Sequence, residues 1–460
     1  MGESVNMTEK TPVGGSADQR EDGQREDGQI GVGGTALGRG SRASRAQALR
    51  DTVDAVTAWS HESLGNGGPD FTGFPYERVV GYYQQTGKAA AAPELVALLR
   101  GARLGIECAG RARPWSSPDA WLFDTWLPLT FTDRPMSYVS YAGNDVLRIA
   151  EWNSDGGPEA AERADDLLTG VLLADLVVRE SDALTATGGG DRQRSRTTAV
   201  WQALARLPEY APLALADTAP LDAVRSALAE GGPDAAAPAA REAVDALRTQ
   251  APAALLRAVE VALLPVTTLH DERMFIRSIQ LFERLFARVA RALMFAVESV
   301  RADRPAEAAA FLETVGTRLA GATSPLYRVL TTMPPESFAV IRDHTHGASA
   351  IQSRPYQLVE TVSAKRAGEV HSPEKGPLFA LDATLQEQFL ARVGGWPTAE
   401  ARRLEEAMRS LDAGWRGMKR THWGVTMKII GRVPGTGGTA GADYLKAAAD
   451  MPLFPQLAAV

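Results

Sequence analysis

Cysteine is nearly missing from this chain: its 460 residues hold one, Cys108. A single thiol cannot close a disulfide or supply a cysteine-based zinc or iron–sulfur site within one chain, so both frameworks are excluded, and a reducing, cytoplasmic setting is the expectation. Long hydrophobic runs are missing as well. No stretch reaches the ~18 apolar residues of a membrane span, and the polar, acidic N-terminal segment lacks the apolar core of a signal peptide. Nor is there an excess of positive charge: 49 Lys and Arg face 56 Asp and Glu, a formal net charge of −7. That balance gives no basic footprint for nucleic acid or an anionic membrane. Alternating Val, Ile and Thr runs are scarce, which argues against a sheet.

What is present is the composition of a globular helical protein, with 45% hydrophobic and 23% charged residues. Residues 1–45 are the exception. They are rich in Gly, Ser, Asp, Glu and Arg and contain the tandem repeat REDGQREDGQ. Such a segment buries too little apolar surface to offset its ordering entropy and reads as a disordered tail. From about 46, Ala, Leu, Arg and Glu dominate and the pattern is helical. TATGGGDRQRSR (185–196) and EGGPDAAAPAA (230–240) read as loops. WLPLTFTDRPMSYVSYAGNDVL (126–147) is richer in aromatics and reads as packing on the core. From about 263 the signal sharpens. HDERMFIRSIQLFERLFARVARALMFAVESV predicts one long helix, with Phe275, Ile279, Phe282, Phe286, Val289 and Leu293 at steps of four and three on one face. Arg273, Arg277, Arg284, Arg288 and Arg291 line another face, and by the usual partition of charge that row reads as solvated. A further helix is predicted from Thr398, taken as its N-cap, to about Gly431, with His422 near its C-terminal end. The fold class is all-α, a helical bundle with insertions.

Few residues declare a chemistry by themselves. The run Gly435 to Gly441 lacks the Gly-Lys-Ser/Thr ending of a phosphate loop and follows a helix rather than a strand, so nucleotide binding is disfavoured. Its backbone N–H groups and the hydroxyls of Thr436 and Thr439 suit a carboxylate or an ammonium group equally. No two of the six histidines have the H-E-x-x-H spacing of a zinc protease. His270, His344 and His346 read as capping or supporting groups, and His422 as a core histidine or a ligand. Arg342, after the apolar Phe338–Ile341 segment, is an internal ion-pair partner or an anion clamp whose planar fork can grip a carboxylate. No nucleophile–histidine–acid order can be assigned.

Three segments, in order, then carry a resemblance. HDERMFI (270–276) resembles the H-D-E-x-x-F-I of tryptophan 2,3-dioxygenases. FAVIRDHTHGASAIQS (338–353) is similar to their F-x-x-F-R-x-x-L-x-x-A-S-G-F-Q-S. HWGVTMKIIGRVPGTGGTAGADYL (422–445) is similar to their H-x-x-M-V-x-R-M-I-G-x-K-x-G-T-G-G-S-S-G-x-x-Y-L, and MPLFPQL (451–457) fits their R-Y-F-P-E-L ending. The likeness covers roughly the last 195 residues. It identifies the chain as a divergent member of the tryptophan/indoleamine dioxygenase superfamily.

The resemblance implies an all-helical core holding haem b, in a homo-oligomer (dimer or tetramer), with O2 and an aromatic amino acid or indole as small-molecule partners. It implies that residues 263–460 are this core and that 46–262 are a helical region carrying an insertion. By position His422 becomes the proximal iron ligand, with Gly437 and Gly438 beside the cofactor. Arg342 grips the substrate carboxylate, Thr436 helps hold the amino-acid head, and Phe275 and Phe338 line the indole pocket. Where the family has a histidine facing the indole N–H, this chain has Ile279, which neither donates nor accepts a hydrogen bond. The usual Gly after Ala-Ser is Ala350, and the family's Q-F-R becomes Pro355-Tyr356-Gln357. Tyr138-Val-Ser-Tyr141 is a loose echo of an N-terminal Y-x-x-Y-L. The function implied is a haem-dependent oxygenase acting on tryptophan, a derivative or a related aromatic amino acid, in specialised metabolism. Two other readings stand beside it: a haem sensor or partner protein without turnover, and a haem peroxygenase using H2O2.

Overall fold

The computed structural model describes residues 42–65, 70–108, 117–131, 137–153, 158–345, 352–365, 383–431 and 442–458. All regular structure among them is helical. The N-terminal half supplies α1 (Arg42–Gly65), α2 (Tyr76–Thr86), α3 (Pro93–Cys108), α4 (Pro118–Trp126), α5 (Tyr138–Ala142), α6 (Pro158–Ala186), α7 (Asp191–Ala205), α8 (Leu207–Tyr210), α9 (Ala219–Gln250) and α10 (Ala253–Val261). The C-terminal half supplies α11 (His270–Arg301), α12 (Pro305–Leu330), α13 (Pro335–His344), α14 (Arg354–Ser363), α15 (Leu385–Arg392), α16 (Thr398–Ile429), α17 (Ala442–Asp450) and α18 (Pro455–Ala458). The all-α class read from the sequence is the class observed. The expected tail falls mostly outside the described residues, and α1 begins at Arg42. No described helix is long and apolar enough to cross a membrane.

The frame is a set of long helices centred on α11. Its 32 residues contain no Gly or Pro; Asp271 and Glu272 lie in its first turn and Arg301 in its last, the signs that favour the helix dipole. It packs on α12, and α12 packs along α16 through Leu312, Val315 and Leu319 on one side and Leu404, Met408 and Leu411 on the other, all buried. The opposite flank of α11 meets α6. The 126–147 segment does pack on the core: Trp126, Leu127, Tyr138 and Tyr141 are all buried. Its α5 ends at Gly143 in the left-handed region (φ 64°), where a β-carbon would stand 2.7 Å from the Ala262 carbonyl oxygen. Glycine therefore fixes how closely α5 approaches the α10–α11 connection.

Three local expectations are corrected. The 230–240 stretch is not a loop: α9 runs through it, broken only at Gly232, whose φ of 69° and ψ of −159° set two helices end to end. Alanine-rich sequence on both sides keeps each half helical despite Pro233 and Pro238. Thr398 is the first helical residue of α16, not its cap; Pro397 holds the cap position and no side chain closes it. The largest correction concerns the arginine row of α11, which is not solvated. Arg277, Arg284 and Arg288 are buried. Arg277 Nε lies 2.6 Å from Asp175 Oδ2, Arg288 lies 2.6 Å from Asp166 Oδ1, and Arg291 pairs with Asp165, all three acids being on α6. Burial alone would raise the Asp175 carboxyl, but Arg277 and Arg179 outweigh it and hold it down at about 2. A charged row with an acidic row opposite is an interface, and periodicity on one helix does not reveal its partner.

Candidate active site

The aromatic stripe of α11 leads to the site. Phe275, Ile279, Phe282 and Phe286 stand at steps of four, three and four, so they follow one face over about 16 Å. Most side chains of α11 are buried, but Phe275 and Ile279 on this stripe are only half-buried. Phe275 meets Phe338 of α13 edge-on, with ring centroids 5.3 Å apart, and Tyr141 of α5 stands 6.5 Å away on the other side. Arg342 lies one turn beyond Phe338 on the same face of α13 and is half-buried. The flanking polar side chains turn away from the stripe. Ser278 donates to the Met274 carbonyl at 2.9 Å, and Gln280 donates to the carbonyls of Ala142 and Ala262 at 2.7 and 3.1 Å. The turn at Ile279 is therefore apolar.

At the other end of the stripe Phe282 packs on Tyr327 of α12 at 4.4 Å, and Tyr327 stacks on the His422 ring at 5.9 Å and 22°. The Tyr327 hydroxyl donates to Met418 Sδ at 3.4 Å, one turn before His422 on α16. Among the described residues neither nitrogen of His422 makes a hydrogen bond or an ion pair. Its surface is only half-buried, yet the protein around it is dense enough to push its pKa down to about 4. Both observations fit a side chain on the wall of a recess: protein surrounds it without covering it. At physiological pH the ring is neutral and keeps a free lone pair. α16 then ends with Gly431 in the left-handed region (φ 72°), and α17 begins at Ala442. Thr436, Gly437 and Gly438 lie between them, outside the described residues, as do His346 and Ala350. Phe275, Ile279, Phe338, Arg342 and His422 are thus carried on three helices that pack together, with α13 touching both α11 and α16.

The remaining histidines play local parts. His344 is exposed, with Nδ1 2.9 Å from the Val340 carbonyl oxygen. His270 is buried, its Nε2 2.9 Å from Glu180 Oε1. No group of three or more metal-binding side chains occurs among the described residues. The first three residues of HDERMFI brace the site rather than line it. Asp271 pairs with Arg196 of α7 and accepts the Ser337 hydroxyl at 2.6 Å, one residue before Phe338. Glu272 accepts the N–H groups of Val266 and Thr267 at 2.8 and 2.7 Å. Burial and this carboxylate push the Tyr141 hydroxyl well above its usual range. Sequence reasoning missed Tyr327 and the Asp271–Ser337 tie. A lone tyrosine on an apolar helix carries no signal, whereas an acid at the head of a helix, followed far downstream by a serine beside Phe338, does so only once the contact is seen.

The chain is 30% identical over 230 aligned residues to the tryptophan 2,3-dioxygenase of Anaeromyxobacter sp. (strain K), a match that takes in 42% of this chain and 86% of that protein. The chain belongs to the tryptophan 2,3-dioxygenase family. The enzymes of that name from Anaeromyxobacter dehalogenans (strain 2CP-C) and Ruegeria sp. (strain TM1040) match at 28% and 26%, covering 86% and 82% of their lengths. No family model matches. Nearly whole tryptophan 2,3-dioxygenases are thus matched by less than half of this chain.

Proposed function

We propose that this protein is a haem-dependent oxygenase acting on tryptophan, a tryptophan derivative or a related aromatic amino acid. The observation that carries the reading is His422. It is a neutral imidazole with no hydrogen-bond partner among the described residues, held flat against Tyr327 where the aromatic stripe from Phe275 ends. The residues fit a haem: His422, a lone imidazole in aromatic and aliphatic surroundings, would hold its iron through one ring nitrogen and leave the other for a supporting acceptor. A bound haem supplies O2 activation; the protein supplies binding, orientation and exclusion of water.

The chain's own part is read from the helices that carry these residues and from the likeness to tryptophan 2,3-dioxygenases. Arg342, one turn from the Phe275–Phe338 pair, holds the substrate carboxylate with its fork, so the ring falls against the two phenylalanine edges. Thr436 holds the amino-acid head. By the family resemblance Gly437 and Gly438 would adjoin the cofactor, where residues without side chains leave room for it. The apolar turn at Ile279 offers the indole nitrogen neither donor nor acceptor. The ring is therefore placed by shape and by its anchored head, and alkylated or nitrogen-free rings are accepted alongside indole. Fixing ring and oxygen side by side in a dry recess accounts for the protein's contribution to rate.

Two measurements test this. The purified protein carries a Soret band with a histidine-ligated ferrous–CO spectrum, and His422→Ala abolishes it; an unchanged spectrum in that variant rejects the ligand. Tryptophan or an analogue shifts the Soret band, and Arg342→Ala weakens the shift at least about tenfold. A panel of indoles and phenols under ¹⁸O₂ then gives labelled products by mass spectrometry, two labelled atoms meaning dioxygenation and one mono-oxygenation. Absence of any labelled product across the panel overturns the oxygenase reading.

A further inference from the structure

The side chains of α11 open at two places, not one. Phe275 and Ile279 face the candidate active site; Ala287, Arg291 and Met294 form a second half-buried set farther along. This second set lies roughly 100° around the helix from the aromatic stripe and about 12 Å or more beyond Ile279. It forms one wall of a cavity of about 500 Å³ closed by α5, the turns after it, the start of α6 and the start of α14. No residue of α12, α13 or α16 lines it, so it is separate from the surroundings of His422 and Arg342.

Two groups in that wall lack partners. Arg284 is 4% exposed, its Nε has no hydrogen-bond acceptor, and among the described residues no carboxylate forms an ion pair with it. Asn144 is 9% exposed, and its side-chain oxygen has no donor. Two other charges on the wall are answered: Arg291 by Asp165, and Glu283 by the Tyr138 hydroxyl at 2.7 Å. The Glu283 carboxylate attracts Arg284 but forms no ion pair with it among the described residues, and a buried guanidinium nitrogen without an acceptor is costly, so a fold retains one where something else supplies the acceptor. The rest of the wall sorts the ligand. Ala290, Met294 and Leu358 give it an apolar side, while Asn144 and the half-buried Asp145 call for an N–H or O–H donor.

We propose that this cavity is a second, independent ligand site that takes a small organic oxyanion, a carboxylate or a phosphate, with an apolar body and a neighbouring hydrogen-bond donor. Arg284 holds the oxyanion, Asn144 accepts the donor, and the apolar body lies along Ala287, Ala290 and Met294. The volume is within the ordinary range of small-molecule pockets. The proposal does not depend on haem at His422.

The test is calorimetric titration of the full-length protein with phenyllactate, phenylpropionate, phenyl phosphate and inorganic phosphate. Phenyllactate and phenyl phosphate separate the two oxyanions, phenylpropionate lacks the donor, and inorganic phosphate lacks the apolar body. Wild type binds phenyllactate or phenyl phosphate more tightly than the corresponding probe lacking the donor or the body. Arg284→Met, which removes the unanswered charge and keeps the volume, lowers that affinity at least about tenfold and leaves the melting temperature equal or higher. Ala287→Phe, which fills the cavity and leaves Arg284 in place, removes the same binding event. Arg342→Ala does not, which separates this site from the candidate active site. Binding that survives both Arg284→Met and Ala287→Phe, binding lost only in Arg342→Ala, or no binding of any probe at millimolar concentration overturns the proposal. Equal affinity for inorganic phosphate and phenyl phosphate overturns the apolar body.

Discussion

Toward α6, α11 presents Arg277, Arg288 and Arg291, and each meets a carboxylate. On another face the same helix presents Phe275, Ile279, Phe282 and Phe286 to α13, α12, α14 and α16, and the imidazole reached through Phe282 and Tyr327, His422, meets no carboxylate among the described residues. These three arginines are taken up by structure; Arg284 of the same row, with no ion pair among the described residues, faces the second cavity instead. The apolar face ends on a lone pair without a donor. Paired charge marks structure here, and a missing partner marks each candidate site. Buried ion pairs of this kind contribute little net stability against a hydrophobic replacement, yet removing one member is severe.

The largest effect therefore comes from the closed face. Asp166 lies against Arg288 at 2.6 Å and Arg318 at 3.2 Å, and it accepts the Leu213 N–H at 2.9 Å. Asp166→Ala leaves buried Arg288 without its acid and Arg318 with Glu162 alone, and costs about 3–5 kcal/mol in urea unfolding. The Soret band of the protein that remains folded is unchanged. A lost Soret band at full stability would reverse the assignment of the two faces.

The next effect comes from the open face and depends on pH. An unfolded imidazole takes a proton near 6.5; His422 in the folded chain takes one only near 4. Between those values the unfolded chain binds more protons, so the haem-free protein loses stability as pH falls from 6.5 to 4 and keeps it above 6.5. The loss is about 3 kcal/mol at its limit. In His422→Leu this contribution is absent, so the stability gap between pH 7 and pH 4.5 narrows relative to wild type. Equal pH profiles for the two proteins would place the ring in contact with water.

Between the faces stands the tie from Asp271 to Ser337. Ser337→Ala removes a hydrogen bond to a carboxylate and costs about 1.5–2 kcal/mol of stability. Since Ser337 adjoins Phe338 on α13, substrate-induced Soret shifts weaken as well, while the Soret band without substrate stays in place. Ser337→Thr, which keeps the hydroxyl, restores both. Weakened stability with unaltered substrate response would confine the tie to the frame.

How much of this was legible beforehand follows the same division. The long helix 270–301 and the helix carrying His422 were readable because periodicity is a property of one segment, and the all-α class followed from composition. Buried status of the arginine row was not, because it depends on Asp165, Asp166 and Asp175 about a hundred residues earlier. The 230–240 stretch misled through Gly and Pro, whose local weight the alanines overrode. Phe275, Phe338 and His422 were singled out by ordered motifs; Tyr327, which joins the last of them to the stripe, shows only by contact. Arg284 was visible as part of a row but not as the member without a partner.

The smallest effect is the sharpest probe of the open face. The polar neighbours of Ile279 donate to backbone carbonyls, so nothing on this turn meets a ring nitrogen. Tryptophan and 1-methyltryptophan, which differ there by one N–H, should shift the wild-type Soret band with affinities within about twofold of each other. Ile279→His places a ring nitrogen on that turn, able to accept from the indole N–H. The gain is that of one net hydrogen bond, about 1 kcal/mol, so the variant prefers tryptophan about fivefold. The methylated ring gains nothing and, lacking a donor, leaves the new nitrogen unanswered. A wild type that already discriminates strongly would mean that another group reads the N–H. A variant that stays indifferent would mean that the ring does not lie against α11 at all.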